Sequence, residues 1–312
     1  MTNPVLVEVV RSGFTESVHR GSVVVTAPDG TVLLATGDVT SPMFPRSSNK
    51  PLQAVGMLHS GLTYDGADLA LACGSHSGEP GHVERVAAML AAAGLDESAL
   101  ACPPAYPLHE PSMHAAAGPL RVTMNCSGKH AAMLATCVAA GWPTDGYEDP
   151  AHPLQKAIAD AVVSLTGEPI TATGVDGCGA PLFAFSLTGL ARSFGRLTQA
   201  DPGSDERRVA DAMRAHPWLV GGTDREDTVA MKAVPGLLSK VGAEAVWAMA
   251  LPDGTALALK LDDGTKRGCA PLGVAVLRHL GVDVSELADL AAPAVLGGGR
   301  EVGRLKVSWS AP

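Results

Sequence analysis

The sequence predicts an α+β fold built on one antiparallel sheet, and three observations carry that prediction. Hairpin patterns stand near both ends of the chain, and helical periodicity fills the stretch between them. No regular strand–helix–strand alternation calls for parallel crossovers. The first hairpin pairs Val23-Val24-Val25 with Val32-Leu33-Leu34 around Pro28-Asp29-Gly30, a turn signal between branched apolar runs. The second pairs residues 245–250 with 256–261 around Pro252-Asp253-Gly254, and another turn follows at Asp262-Asp263-Gly264. Both hairpins are expected to share the sheet.

Between them, Val83, Val86, Ala87 and Leu90 recur at helical spacing and Gly94 stops the run. Residues 129–140 behave likewise up to Gly141, and further helices are expected over 154–165, 206–215 and 270–280. The short apolar run Leu69–Ala72 reads as a buried strand opening into a glycine- and serine-rich turn. The resulting order is strands, many helices, strands, helix. A chain of 312 residues can bury a large core. Residues 1–312 are expected to form one domain, with a sheet lobe from the terminal segments and a helical lobe from the middle. Asp201-Pro202-Gly203-Ser204-Asp205 would be the lobe boundary.

Net charge is −9, with no basic run to neutralise phosphates, which argues against a nucleic-acid surface and for a small-molecule substrate. No apolar stretch is long and uniform enough to span a bilayer. Met1-Thr2-Asn3-Pro4 lacks the features of an export signal, so a cytoplasmic location is expected. Six cysteines in such a chain are expected to stay reduced.

Only eight lysines occur, and two stand beside small nucleophiles. In Ser47-Ser48-Asn49-Lys50, residues three apart on a helix start would bring hydroxyl and amine onto one face, and Pro51 suits the first turn. An unprotonated Lys50 could then take the Ser47 proton, while orphan backbone N–H groups hold an oxyanion. A plain N-cap serine is the bland alternative. Cys73-Gly74-Ser75-His76-Ser77-Gly78-Glu79 offers Ser75, His76 and Glu79 at a pocket edge, or a solvated turn. Asn125-Cys126-Ser127-Gly128-Lys129-His130 and Asp176-Gly177-Cys178-Gly179 bring two thiols that, with nitrogen from Lys129 or His130, suit an open zinc site. On residue chemistry alone, histidine is the more usual ligand. Two buried free cysteines are the alternative.

Taken in register, these blocks, with Ser239-Lys240-Val241-Gly242-Ala243-Glu244, His19-Arg20 and His216-Pro217, resemble the rhizobial-type L-asparaginases, the asparaginase II family. The resemblance runs over most of the chain. It implies a serine β-lactamase-like and glutaminase-like fold, two Ser–Lys pairs (Ser47 with Lys50, Ser75 with Lys240), zinc on Cys126, Lys129 and Cys178, and a homodimer. The implied activity is hydrolysis of L-asparagine to L-aspartate and ammonia through a serine acyl-enzyme. The substrate's carboxylate then needs a cation, suited by Arg46, and its ammonium an anion, suited by Asp176, with His130 as a further hydrogen-bonding partner. Lys266 is a lesser rival for the second lysine. Two rival functions stand beside this one: another serine acyl hydrolase on the same scaffold, and a zinc-containing amino-acid-binding protein without turnover.

Overall fold

A computed structural model describes residues 2–311. Its strands, in chain order, are β1 (Val5–Arg11), β2 (Phe14–Thr26), β3 (Val32–Thr36), β4 (Pro42–Met43), β5 (Ala172–Val175), β6 (Pro181–Ser186), β7 (Leu238–Gly242), β8 (Val246–Ala250), β9 (Ala256–Leu261), β10 (Ala294–Gly297) and β11 (Arg300–Val307). The main sheet runs β10-β11-β1-β2-β9-β8-β7, antiparallel at every pairing, with β3 also on β2. The long β2 makes this possible by changing partners: Phe14–Arg20 pairs with β1, and Gly21–Thr26 pairs with β9 and, over Val23–Thr26, with β3. The two expected hairpins, β2–β3 and β8–β9, thus do share one sheet.

The strand sequences show why both faces of the sheet are covered. In β8 and β9, small residues (Ala248, Ala250, Ala256, Ala258) join the larger helical core, and Trp247, Met249, Leu257 and Leu259 join the core on the opposite face. Alternation with period two sends alternate side chains to opposite faces. Alanine on one side lets the helix Leu187–Gln199 lie close against the sheet, where Gly195 comes so near Gly254 that an added Cβ would sit 2.8 Å from its carbonyl oxygen. Bulk on the other side fills the space under the helix Cys269–His279, each such buried side chain stabilising by about 1.5–3 kcal/mol.

The expected helices form at Pro80–Ala92, Ser127–Ala140, Pro153–Thr166, Asp205–Ala215 and Cys269–His279. Three features differ from expectation. Leu69–Ala72 is the end of a helix, Gly66–Ala72, and not a strand. A four-residue apolar run buried on all sides carries no period, and its alanines and leucines favour the helix. The chain also continues past its last long helix into β10 and β11, which flank β1 and extend the sheet. Their partner β1 turns into β2 through Ser12-Gly13, both at positive φ (48° and 81°), a two-residue turn whose sequence signal is weak without Asn or Asp. Finally, β4, β6 and β5 form a separate small antiparallel sheet. Asp201–Ser204 joins two helices of the same core, Leu187–Gln199 and Asp205–Ala215.

Candidate active site

A tight turn at Arg46–Asn49 runs directly into the helix Lys50–His59, with Pro51 in its first turn as the sequence expects. Ser48 closes the turn by donating from both Oγ (2.7 Å) and N–H (3.3 Å) to the Pro45 carbonyl. The turn is pressed against the edge strand β7: a Cβ on Gly242 would meet the Pro45 carbonyl oxygen at 2.5 Å, so only glycine fits there. Arg46 itself takes φ +54°, a conformation that non-glycine residues rarely hold and that clusters at functional sites. Ser47 is half-buried at this bend, while Lys50 behind it is buried.

Lys50 Nζ reaches the loop that follows the helix Gly66–Ala72. It donates to Ser75 Oγ at 3.0 Å and to the Gly74 carbonyl. No hydrogen bond joins it to Ser47 Oγ among the described residues. Gly74 is required because a Cβ there would lie 2.7 Å from the Leu219 carbonyl oxygen. The loop is fastened to residues 216–225 at several points: Ser75 N–H to Val220 O (2.8 Å), Ser77 Oγ to Gly221 O (2.9 Å), and the Glu79 carboxylate to the N–H and hydroxyl of Thr223 (2.7 Å each). His76 is a fastener as well. Its Nδ1 accepts from Gly78 N–H (3.1 Å), so Nε2 carries the proton and donates to Ser127 Oγ (2.9 Å).

Lys240 stands on β7 and turns to Asp227, a partner that no sequence motif contains. Asp227, in the first turn of the helix Glu226–Ala233, is buried, and its carboxylate accepts from Lys240 Nζ (3.1 Å), Ser239 Oγ (2.8 Å) and Val241 N–H (2.9 and 3.1 Å). Trp247 Nε1 donates to Ser239 Oγ (2.8 Å) and fixes that hydroxyl. Ser75 therefore pairs with Lys50, and Lys240 pairs with Asp227, in place of a Ser75–Lys240 pair. Burial pushes the Lys240 ammonium down to about 8, with Asp227 opposing the shift and Lys50 adding to it. In sequence, Asp227 looks like an ordinary acidic residue at a helix start, with nothing local to mark it. Lys266 lies in an exposed turn away from these groups.

The helix Ser127–Ala140 and the turn after β5 meet at the second cluster. Lys129 Nζ lies 3.3 Å from Cys178 Sγ, and both are buried with Cys126. The Cys178 thiol is held far below its ordinary range, first by hydrogen bonding from Cys126 and then, against burial, by Lys129 and His130. His130 Nδ1 bonds Tyr147 OH at 2.6 Å, while its buried Nε2 has no hydrogen-bonding partner among the described residues. Arg46 and Asp176, expected on opposite ends of a zwitterion, are brought together as an ion pair of 2.8 Å. A carboxylate and an ammonium arriving together could exchange into such a pair, each meeting the partner it needs.

The sequence matches the model of the family described as L-asparaginase II over residues 7–307. The chain belongs to that family. Membership supports an asparaginase-type hydrolase activity on a small-molecule substrate. No curated protein sequence matches the chain. Among solved structures it is similar to a β-lactamase from Mycobacterium bovis (16% identity, 83% of this chain and 94% of that one, TM-score 0.47). It is similar also to a protein called Mglu in its native form (14% identity, 89% of this chain and 68% of that one, TM-score 0.47). At these levels the structural likenesses add nothing to what the family match establishes. No helix of this L-asparaginase II family member, among the described residues, is long and apolar enough to cross a membrane.

Proposed function

We propose that the protein hydrolyses L-asparagine to L-aspartate and ammonia through an acyl-enzyme on Ser47. The observation that carries this reading is the buried Lys50 amine, one helical turn from Ser47 and hydrogen-bonded to Ser75 Oγ at 3.0 Å. An amine in that place has hydroxyls for neighbours and can move protons between them. Ser47 attacks the side-chain amide carbon, Lys50 takes its proton, and Ser75 passes a proton on to the departing ammonia. Backbone N–H groups at the Arg46–Asn49 turn, that of Ser47 among them, stabilise the oxyanion. The Arg46–Asp176 pair selects a substrate carrying both an α-carboxylate and an α-ammonium. A cytoplasmic location belongs to the same reading, as does a homodimer, which the family resemblance supports.

Zinc belongs to this reading too, with Cys126, Lys129 and Cys178 as the residues that would hold it. Two donor sulfurs, one with strong thiolate character, and an adjacent amine suit zinc, and the buried His130 imidazole stands beside Cys178. Among the described residues no group of three or more His, Cys, Asp or Glu side chains is gathered closely enough to hold an ion without the lysine. When bound, the ion supplies a fixed positive charge that orients the substrate. His130 is available to hydrogen-bond that substrate.

Ammonia and aspartate release by metal-replete protein, measured on asparagine, glutamine and a chromogenic β-lactam, tests the proposal. Turnover of asparagine alone or in clear preference is expected. Asparagine binding without turnover, or hydrolysis of the β-lactam in its place, would overturn it.

A further inference from the structure

Among the described residues only five other than glycine hold φ in the left-handed region, and three of them, Arg46 (+54°), Glu244 (+56°) and Ala245 (+55°), belong to two turns that face each other. Side chains with a Cβ are disfavoured in that region, and residues held there cluster at functional sites. The second of these turns joins β7 to β8 and is fixed from β9: Lys260 Nζ donates to the Glu244 carbonyl (2.9 Å) and Leu261 N–H to the Ala245 carbonyl (3.1 Å). It carries the Glu244 side chain to Arg46, with Oε1 3.6 Å from the guanidinium, outside hydrogen-bonding distance. Gly264 leaves room for this, since a Cβ there would collide with Glu244 Oε2. Arg46 thus stands between two carboxylates in different states. Asp176 Oδ1 already accepts twice, from Arg46 Nε and Gly177 N–H (2.8 Å each), and its side chain is only 11% exposed. The Glu244 side chain is 60% exposed, and its carboxylate takes no hydrogen bond among the described residues.

We propose that Glu244 is a specificity-determining residue: its carboxylate shares the substrate's α-ammonium with Asp176 and so restricts the site to free amino acids, excluding amides whose α-nitrogen is acylated or missing. This deepens, and rests on, the asparagine-hydrolase reading above. An ammonium carries three donors, and Asp176, with one oxygen committed twice, leaves them short of acceptors. Glu244 supplies the missing ones. When a substrate carboxylate docks on the Arg46 guanidinium, the loose 3.6 Å contact to Glu244 gives way before the 2.8 Å bond to Asp176. Glu244 then loses one cationic neighbour and gains another in the ammonium. A substrate without that ammonium leaves Glu244 beside the incoming carboxylate with no counter-charge, and a site with an unpaired polar group rejects such a ligand. Lys260, the other cation at the turn, does not answer the need. Its Nζ bonds the carbonyls of Glu244 and Leu261 (2.9 and 3.4 Å) and forms no ion pair with the Glu244 carboxylate among the described residues.

The test compares metal-replete wild type and Glu244→Gln by two paired readouts. The first is kcat/KM for ammonia release from asparagine and from succinamate, which is asparagine without its α-ammonium. The second is calorimetric affinity for L-aspartate and for succinate, the corresponding pair of acids, whose binding requires no turnover. Glutamine keeps the length and the exposed position of Glu244, so the variant is expected to fold, as its circular dichroism should show. Wild type should prefer asparagine to succinamate and aspartate to succinate. Glu244→Gln should lose about tenfold in kcat/KM on asparagine, mainly through KM, with succinamate unaffected, and its affinity for aspartate but not for succinate should fall by a similar factor. An equal loss on both amides would show that Glu244 acts through Arg46 or through the turn, and would overturn the assignment. So would no loss on either, or a wild type indifferent to the ammonium. Selective loss of aspartate affinity in a protein that hydrolyses neither amide would keep the assignment and refute the hydrolase reading. A wild type that neither hydrolyses asparagine nor prefers aspartate to succinate would refute both.

Discussion

Lys240 on β7 and Lys129 on the helix Ser127–Ala140 are both fully buried, yet their surroundings push them in opposite directions. Burial lowers both. At Lys240 it prevails over Asp227 and leaves the ammonium at about 8, whereas at Lys129 the anionic character of Cys178, Cys126 and Asp176 outweighs it and the net shift is upward. The partners also differ in permanence. Asp227 is locked by a strand N–H and a serine hydroxyl, so its pairing with Lys240 is part of the fold. The Cys178–Lys129 contact at 3.3 Å joins two groups that are both potential metal donors, and an ion could take the place of the shared proton. Lys240 thus holds its proton less firmly than a free lysine, and Lys129 holds its proton more firmly. Lys50, whose hydrogen-bonding partners are a hydroxyl and a carbonyl only, is the third case.

The largest effects should come from breaking that third case. Ser47→Ala and Lys50→Ala are each expected to cost three or more orders of magnitude in kcat while leaving the protein folded, because each removes an element with no substitute nearby. The double variant should cost little more than either single one, since nucleophile and base act as a unit. Near-normal asparagine turnover by a correctly folded Ser47→Ala, checked by circular dichroism, would remove the nucleophile assignment. It would point instead to Ser75, the hydroxyl that Lys50 touches.

A smaller effect should separate the two lysine regions. Chelation, or Cys178→Ser, is expected to raise KM by about ten- to a hundredfold and to lower kcat much less, since an orienting ion contributes uniform binding. Zinc affinity should rise with pH as Lys129 and the thiols surrender their protons, the mark of metal binding coupled to deprotonation. Metal analysis of purified protein and steady-state kinetics with and without chelator measure both. A protein free of stoichiometric zinc, or a collapse of kcat at saturating asparagine, would contradict the orienting role.

What the sequence revealed follows from how local each signal is. Hairpins with Pro-Asp-Gly turns and helices with a clear apolar period were readable because a few adjacent residues specify them. The Leu69–Ala72 run was misread because complete burial erases the period that separates strand from helix. At the site, Ser47, Lys50, Ser75, Cys126, Lys129, Cys178 and Lys240 were named because each sits in a short distinctive motif. Their pairing was not readable, since it depends on which segments meet in space. Asp227 is the sharpest example: twelve residues from Ser239 and thirteen from Lys240, it carries no local mark, yet it decides where Lys240 turns.

The smallest expected effect concerns the fastening of the Ser75 loop. His76 is buried and held well below its ordinary value of 6.5, first by burial and then by the positive potential of His82, Lys50 and Arg225. Its neutral form is the one that fits, because Nδ1 must accept from Gly78 N–H while Nε2 donates to Ser127 Oγ. The unfolded chain, with an ordinary histidine, therefore binds a proton that the folded chain refuses. The stability contributed by this neutral His76 is fully present above pH of about 6.5 and is lost as pH falls toward its depressed folded value, at a limiting slope of about 1.4 kcal/mol per pH unit. Denaturant unfolding between neutral pH and mildly acid pH should show that decline before the carboxylates titrate. His76→Gln should be less stable near neutrality, having lost one of two hydrogen bonds, but its stability should fall less steeply with acid. Equal slopes in the two proteins would show that His76 accepts its proton in the folded state, and that the Ser75 loop is not held by a neutral imidazole.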